Sequence, residues 1–177
     1  AFAAVLLLGI LDGVIVAVLA SLTLLIGRVA RPHVAVLGRI PGSRKFSDIG
    51  RNPGNTRVPG VLIVRVDAGL LYFNVDHVYD AVRGMVRSAP DKPKLVICDL
   101  STSPQVDLAA AKMLTKLHQE LAQAGIRLRL VAAHAPVRDI LRAEGLEERL
   151  GYFGRRISVA DAIDEFDGTN PAAPVPA

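Results

Sequence analysis

Cysteine is almost absent from the 177-residue chain, where Cys98 stands alone. That excludes a disulfide scaffold and permits a reducing compartment without proving one. Histidine is as sparse: His33, His77, His118 and His134 lie far apart, and none has a second His or Cys at metal-ligand spacing. No metal site is expected. Phosphate-loop and hydrolase signatures are missing too. Walker A requires GxxxxGK[ST], which neither Pro41–Lys45 (PGSRK) nor Gly50–Thr56 (GRNPGNT) supplies, and there is no G-x-S-x-G elbow. No enzymatic activity and no catalytic residue is therefore expected. Charge is also thin, 21% of residues against 51% hydrophobic, with a mean hydropathy of +0.36. Such a chain is too apolar to be disordered and too apolar for an ordinary soluble domain.

The apolar excess is local. Of residues 1–27, 21 are apolar and only Asp12 is charged, so the remainder returns to a normal globular share and carries all 21 Lys and Arg. As a helix, 27 residues span roughly 40 Å, more than the ~30 Å of a hydrocarbon core. A secretory signal would need a basic start and a shorter apolar core. The run reads as a transmembrane helix, and because the chain starts inside it, as part of a longer polypeptide. Arg28, Arg31, Arg39, Arg44 and Lys45 precede the next acid, Asp48, which places the chain beyond the helix in the cytoplasm. Asp12 sits mid-helix, where a charge costs about 2.5–3.5 kcal/mol and belongs against protein or an aqueous cavity. Gly9 and Gly13 around it form a small-xxx-small pair suited to close helix packing. The three together suggest one helix of a polytopic bundle.

Residues 28–60 read as a basic Pro/Gly-rich linker with a first strand near 33–38, irregular and mobile from Ile40 to Gly60. Arg28, Arg31, Arg44 and Lys45, with Arg51 and Arg57, are candidates for anionic lipid headgroups, with a solvated basic loop the equal alternative. From Gly60 the pattern alternates. Val61–Val66 is a strong strand, and Leu70–Phe73 a short one after the Asp67-Ala68-Gly69 turn. Asp76 is placed to cap a helix to about Ser88 with Val78, Ala81, Val82 and Met85 inward. Lys94–Leu100 is nearly all apolar, a central strand, with Cys98 as core rather than reactive thiol. Asp107 caps the helix whose inner face is Ala110, Leu114, Leu117, Leu121 and Ala124, ended by Gly125. A strand over Ile126–Ala133, a helix from Pro136 to Gly145, and another from Ser158 to about Phe166 complete a core over residues 61–167, with 168–177 a disordered tail. This order makes an α/β layer.

The stretch Asp99–Asp107 (DLSTSPQVD) is the most polar unusual segment, at the carboxyl end of the central strand and the start of a helix, an address that favours ligands. Ser101, Thr102, Ser103 and Asp107 are the candidate nucleotide or partner loop. The alternative is that they satisfy turn backbone and cap the helix. Asp99-Leu100-Ser101 followed by Val106-Asp107 resembles the D-L-S…(hydrophobic)-D-S-S-G motif of STAS domains, the fold of anti-sigma-factor antagonists. Arg31–Gly42 (RPHVAVLGRIPG), Val58–Ala68 (VPGVLIVRVDA) and Leu71-Tyr72-Phe73-Asn74 resemble the STAS domain of SulP sulfate permeases, and Asp12-Gly13-Val14-Ile15 resembles the D-G-I-x-x-G of that family's last membrane helix.

The resemblance implies a STAS-like mixed β-sheet flanked by about four helices and preceded by one transmembrane helix, in the cell membrane with the STAS domain cytoplasmic. It implies a role in gating, folding or trafficking of a sulfate or related anion transporter, with the missing transmembrane domain of the same polypeptide and the bilayer as partners. Family STAS domains suggest GTP, GDP or ATP as ligands and an acyl carrier protein as a protein partner. A homodimer is left open, and no nucleic acid is expected. The alternative is a membrane-tethered binding module without a transport role. Where antagonists carry their phosphorylated serine and its neighbour, this chain has Leu108 and Ala109, with Ala110 in place of the glycine, which argues against a sigma-factor regulator.

Overall fold

The structure is a computed structural model and describes residues 10–168. Residues 1–9, including Gly9 and the start of the expected membrane helix, lie outside the described residues, as does the expected tail from 169 onward. Six helices and five strands occupy the described residues: α1 Ile10–Ala30, β1 Val34–Arg39, β2 Phe46–Asp48, β3 Val61–Val66, α2 Val75–Ser88, β4 Leu95–Asp99, α3 Leu108–Gln123, β5 Arg127–Val131, α4 Ala135–Ala143, α5 Leu146–Leu150 and α6 Val159–Phe166.

The sheet has the order β2-β1-β3-β4-β5. β1 is antiparallel to β2 and β3, while β3, β4 and β5 run parallel. All five residues of β4 are buried, as a strand covered on both faces requires. Val96 and Cys98 point into the larger core, against α2, α3, α4 and α5. Leu95 and Ile97 face the smaller one with Val159, Ala162 and Ile163 of α6. Helix boundaries follow local chemistry. Asp107 caps α3, which Gly125 leaves at φ +73°, a left-handed turn that glycine takes without a Cβ penalty. Ser158 and Asp161 form a reciprocal capping box at α6. α5, only five residues long, adds a helix to the expected four.

Three expectations are corrected. Leu70–Phe73 is not a strand: Leu70 makes a single parallel bridge to Val106, after which the chain turns. The N-cap of α2 is Asn74 rather than Asp76, which falls in the first turn. Asn74 is buried because its side chain ties the preceding turn, accepting from Leu71 N at 3.0 Å and donating to Gly69 O at 2.9 Å. The segment read as a mobile linker is stitched into the sheet. It contains β1 and β2, Arg39 and Thr56 exchange backbone hydrogen bonds at 2.8 and 3.0 Å, and Asn55 Nδ2 donates to Ser47 Oγ at 2.6 Å. Gly38 allows this closure, since a Cβ there would lie 2.7 Å from Ile49 Cγ1.

α1 contains Ile10–Gly27, long and apolar enough to cross a membrane, with a mean hydropathy of 2.4. Its Leu11, Leu24 and Leu25 are exposed, so the chain's own domain does not cover it. Three residues, Arg31, Pro32 and His33, connect it to β1. They are held on both sides. His77 Nε2 on α2 lies 3.2 Å from Pro32 O, Asp67 N donates to His33 O at 3.0 Å, and His33 Nε2 lies 3.0 Å from Asp48 Oδ2 on β2.

The hydrogen bond from His33, aided by the Gly50 N–H at 2.7 Å, holds the Asp48 carboxyl below the usual carboxylate range, against burial, which pushes it up. A folded-state pKa depressed below the unfolded value of about 3.9 stabilises the fold above that value, and the contribution is lost as pH falls through the folded value. Asp48→Asn should therefore lower stability at neutral pH by about 1 kcal/mol and flatten the acid limb of the stability curve. Urea unfolding at several acidic and neutral pH values checks this, and an acid limb identical to that of the parent chain would refute it.

Candidate functional site

The loop from Asp99 to Asp107 leaves the carboxyl end of β4 and enters α3, so its position is set by the two strongest hydrophobic patterns in the chain. Its polar groups are largely committed to backbone. Asp99 Oδ1 accepts the Ser101 N–H at 2.9 Å. Thr102 Oγ1 donates to Val66 O at 2.8 Å. Ser103 is fully buried, and its hydroxyl reaches Ala68 O at 2.9 Å and Val66 O at 3.3 Å. These carbonyls lie where β3 ends, and without the hydroxyls they would lose their partners in an apolar setting. Ser101 is exposed, and its carbonyl lies 3.0 Å from His134 Nε2.

Asp107 serves two elements at once. Oδ1 accepts from Ala110 N at 2.9 Å, the N-cap bond of α3, and Oδ2 accepts from Tyr72 N at 2.7 Å. Leu70 and the loop are further joined by Leu70 N to Gln105 O at 2.9 Å and Asp107 N to Leu70 O at 3.1 Å. The turn after β3 is thus pinned beside the start of α3. This places three apolar side chains in the open: Tyr72 at 74%, Leu108 at 51% and Phe73 at 37% exposure, the two rings edge to face at 5.3 Å. Sequence reading misses this patch, because it assigns Tyr72 and Phe73 to a strand and sees in Leu108 only a residue that cannot be phosphorylated. The signal that could reveal it is a pair of adjacent aromatics directly before the helix-capping Asn74.

Ser101, Thr102, Ser103 and Asp107 do share this loop, but Thr102 and Ser103 spend their hydroxyls inward. Among the basic residues, Arg31 and Lys45 are exposed. Arg44 instead reaches α6, with Nη2 2.6 Å from Asp164 Oδ2 and 3.5 Å from Asp161 Oδ1. The described part of Arg28 is its backbone in α1. Cys98 is buried in β4, and burial, reinforced by the Asp99 charge, pushes its thiol up to about 12. It is a core thiol, not a nucleophile.

Residues 52–162 match the STAS domain family. A Mycobacterium tuberculosis protein named "Probable sulfate transporter" is 35% identical over 164 residues, covering 93% of this chain and 29% of that protein. The chain therefore spans less than a third of this relative's length. Among solved structures, the murine Solute Carrier 26 family member A9 anion transporter in its inward-facing state is similar with a TM-score of 0.73 at 24% identity, over 89% of this chain and 26% of that one. The STAS domain of a SulP transporter from Vibrio cholerae is similar with a TM-score of 0.54 at 14% identity, over 69% of this chain and 94% of that domain. At these identities the structural likeness is one of fold.

Ser103→Ala should lower stability by about 1–3 kcal/mol, because Ala68 O and Val66 O lose a buried donor. Chemical denaturation measures it. Unchanged stability would refute the role given to this hydroxyl in holding the turn.

Proposed function

The chain belongs to the STAS domain family, and we propose that it forms the membrane-attached STAS unit of a SulP-type permease for sulfate or a related anion. The observation that carries this reading is the junction: an uncovered apolar helix passes into the first strand of a STAS sheet through three residues. Such a helix needs lipid and other helices around it. Gly13, Ala17 and Ser21 repeat every four residues along one side, and Asp12 requires a protein or aqueous neighbour within the membrane. The remaining membrane domain of the same polypeptide supplies both. The basic residues after α1 favour the cytoplasmic side for the STAS unit. Its part is in folding, trafficking or gating of a protein that moves its substrate without covalent change.

A second reading, a tethered binding module, is favoured by the open patch of Tyr72, Phe73 and Leu108. An apolar patch of this kind suits a protein surface better than a nucleotide, so a protein partner, an acyl carrier protein or a second copy among the candidates, takes precedence over GTP, GDP or ATP at the Ser101–Asp107 loop. Pull-down with the chain and with Tyr72→Ser/Leu108→Ser separates a specific partner from adventitious capture, since only the former is lost in the variant.

Cells carrying the complete gene should take up labelled sulfate saturably, and deleting the gene should abolish that component. Saturable uptake of equal size in the complete deletion would overturn the transport reading.

A further inference from the structure

β5 is an edge strand whose arginines alternate with buried leucines: Arg127 and Arg129 flank Leu128, followed by Leu130. Together with Arg149 of α5 they line a cleft of about 430 Å³ bounded by the end of α3, β5 and α6. It lies at the amino-terminal ends of β4 and β5, the opposite end of the sheet from the Ser101–Asp107 loop. Glu165 is the single acid among its lining residues, and it is already paired with Arg129 Nη2 at 2.9 Å. Arg129 also donates from Nη1 to Leu150 O at 2.5 Å, which fixes it as part of the wall. Neither the Arg127 nor the Arg149 guanidinium makes a hydrogen bond or ion pair to another described residue. The Arg127 guanidinium carbon sits 4.6 Å from the centroid of the Phe166 ring, a cation–π contact that needs none of its N–H donors as hydrogen bonds to protein. Two buried polar atoms of lining residues, His118 Nδ1 and Arg129 Nε, also lack a partner.

Charge on an edge strand discourages pairing with another sheet. That accounts for Arg127 and Arg129, but not for Arg149, which comes from a separate helix, nor for the two orphaned atoms. After the one internal ion pair, two guanidinium charges remain unbalanced in one concavity. Guanidinium forks match tetrahedral oxyanions in geometry as well as charge, and a dianion balances two of them. We propose that this cleft binds a dianionic sulfate or phosphate group, held by Arg127 and Arg149 against the fixed Arg129. The group is either a free inorganic oxyanion or the phosphate end of a larger molecule, for whose body the cleft has room beside Ile126 and Phe166. The site does not depend on the transport reading, because binding is measured on the chain itself.

Isothermal titration calorimetry of the full chain in detergent at low ionic strength, with sodium sulfate, sodium phosphate, GTP and ATP as separate titrants and sodium chloride as control, tests it. The expected result is saturable heat with at least one oxyanion and none with chloride. Affinity should fall about tenfold or more in Arg149→Glu and in Arg127→Gln/Arg149→Gln, and stay unchanged in Lys112→Gln, which alters an exposed charge on α3 outside the cleft. Heat with sulfate or phosphate identifies a free oxyanion, and heat confined to GTP or ATP identifies an organic phosphate. Absence of saturable heat from all four at about 10 mM overturns the proposal. So does an affinity in Arg149→Glu within about twofold of the parent chain, or an equal loss in Lys112→Gln. If Arg127→Gln/Arg149→Gln does not fold, Arg149→Glu decides alone, because the exposed Arg149 side chain has no hydrogen bond or ion pair to lose.

Discussion

Complete burial of β4 is the constraint on which the rest of the structure depends. A strand with no solvent-facing residue must be covered above and below, and its two parallel neighbours require crossovers that run over one face. α2 and α3 supply those crossovers, and with α4 and α5 they build the larger core. The opposite face is left for α6, the last helix among the described residues. Once β4 is fixed, both ends of the sheet acquire distinct characters: polar loops and helix starts at the carboxyl end, and the arginine-bearing start of β5 at the other.

At the carboxyl end, satisfying the backbone takes precedence over recognition. β3 ends in carbonyls without strand partners, and Thr102 and Ser103 answer them. Asp107 shares its two oxygens between α3 and the Tyr72 amide. The surface that results is apolar, set over a rigid hydrogen-bonded floor. Rigidity of that kind suits docking of a preformed surface, since little ordering entropy is spent at contact.

Long periodic segments are legible in the sequence because burial, period and caps agree there: β3, β4, α3 and α6 lie where the residues indicate, with Asp107 and Ser158 as caps. Short elements held by tertiary partners are not. β2 is Phe-Ser-Asp, too brief for alternation to register, and exists because β1 offers it an edge. Leu70–Phe73 has strand composition but only one neighbouring backbone within reach, at Val106. Asn74 rather than Asp76 holds the N-cap position, with a side chain that makes no capping bond but both accepts and donates across the preceding turn. Arg44 is legible as a cation, but not its partners, 117 and 120 residues away. The arginine cleft draws on residues from Leu95 to Phe166, with no local pattern to announce it.

The three-residue passage from α1 to β1 has a mechanical meaning. Fully extended, it reaches about 10 Å, and its carbonyls and His33 ring are clamped by α2, β2 and the turn after β3. There is no slack to absorb a displacement. A rotation or piston movement of α1 must be carried into β1 and the sheet around it, and a load on the sheet must be felt by the helix. The domain is geared to the helix, not hung from it.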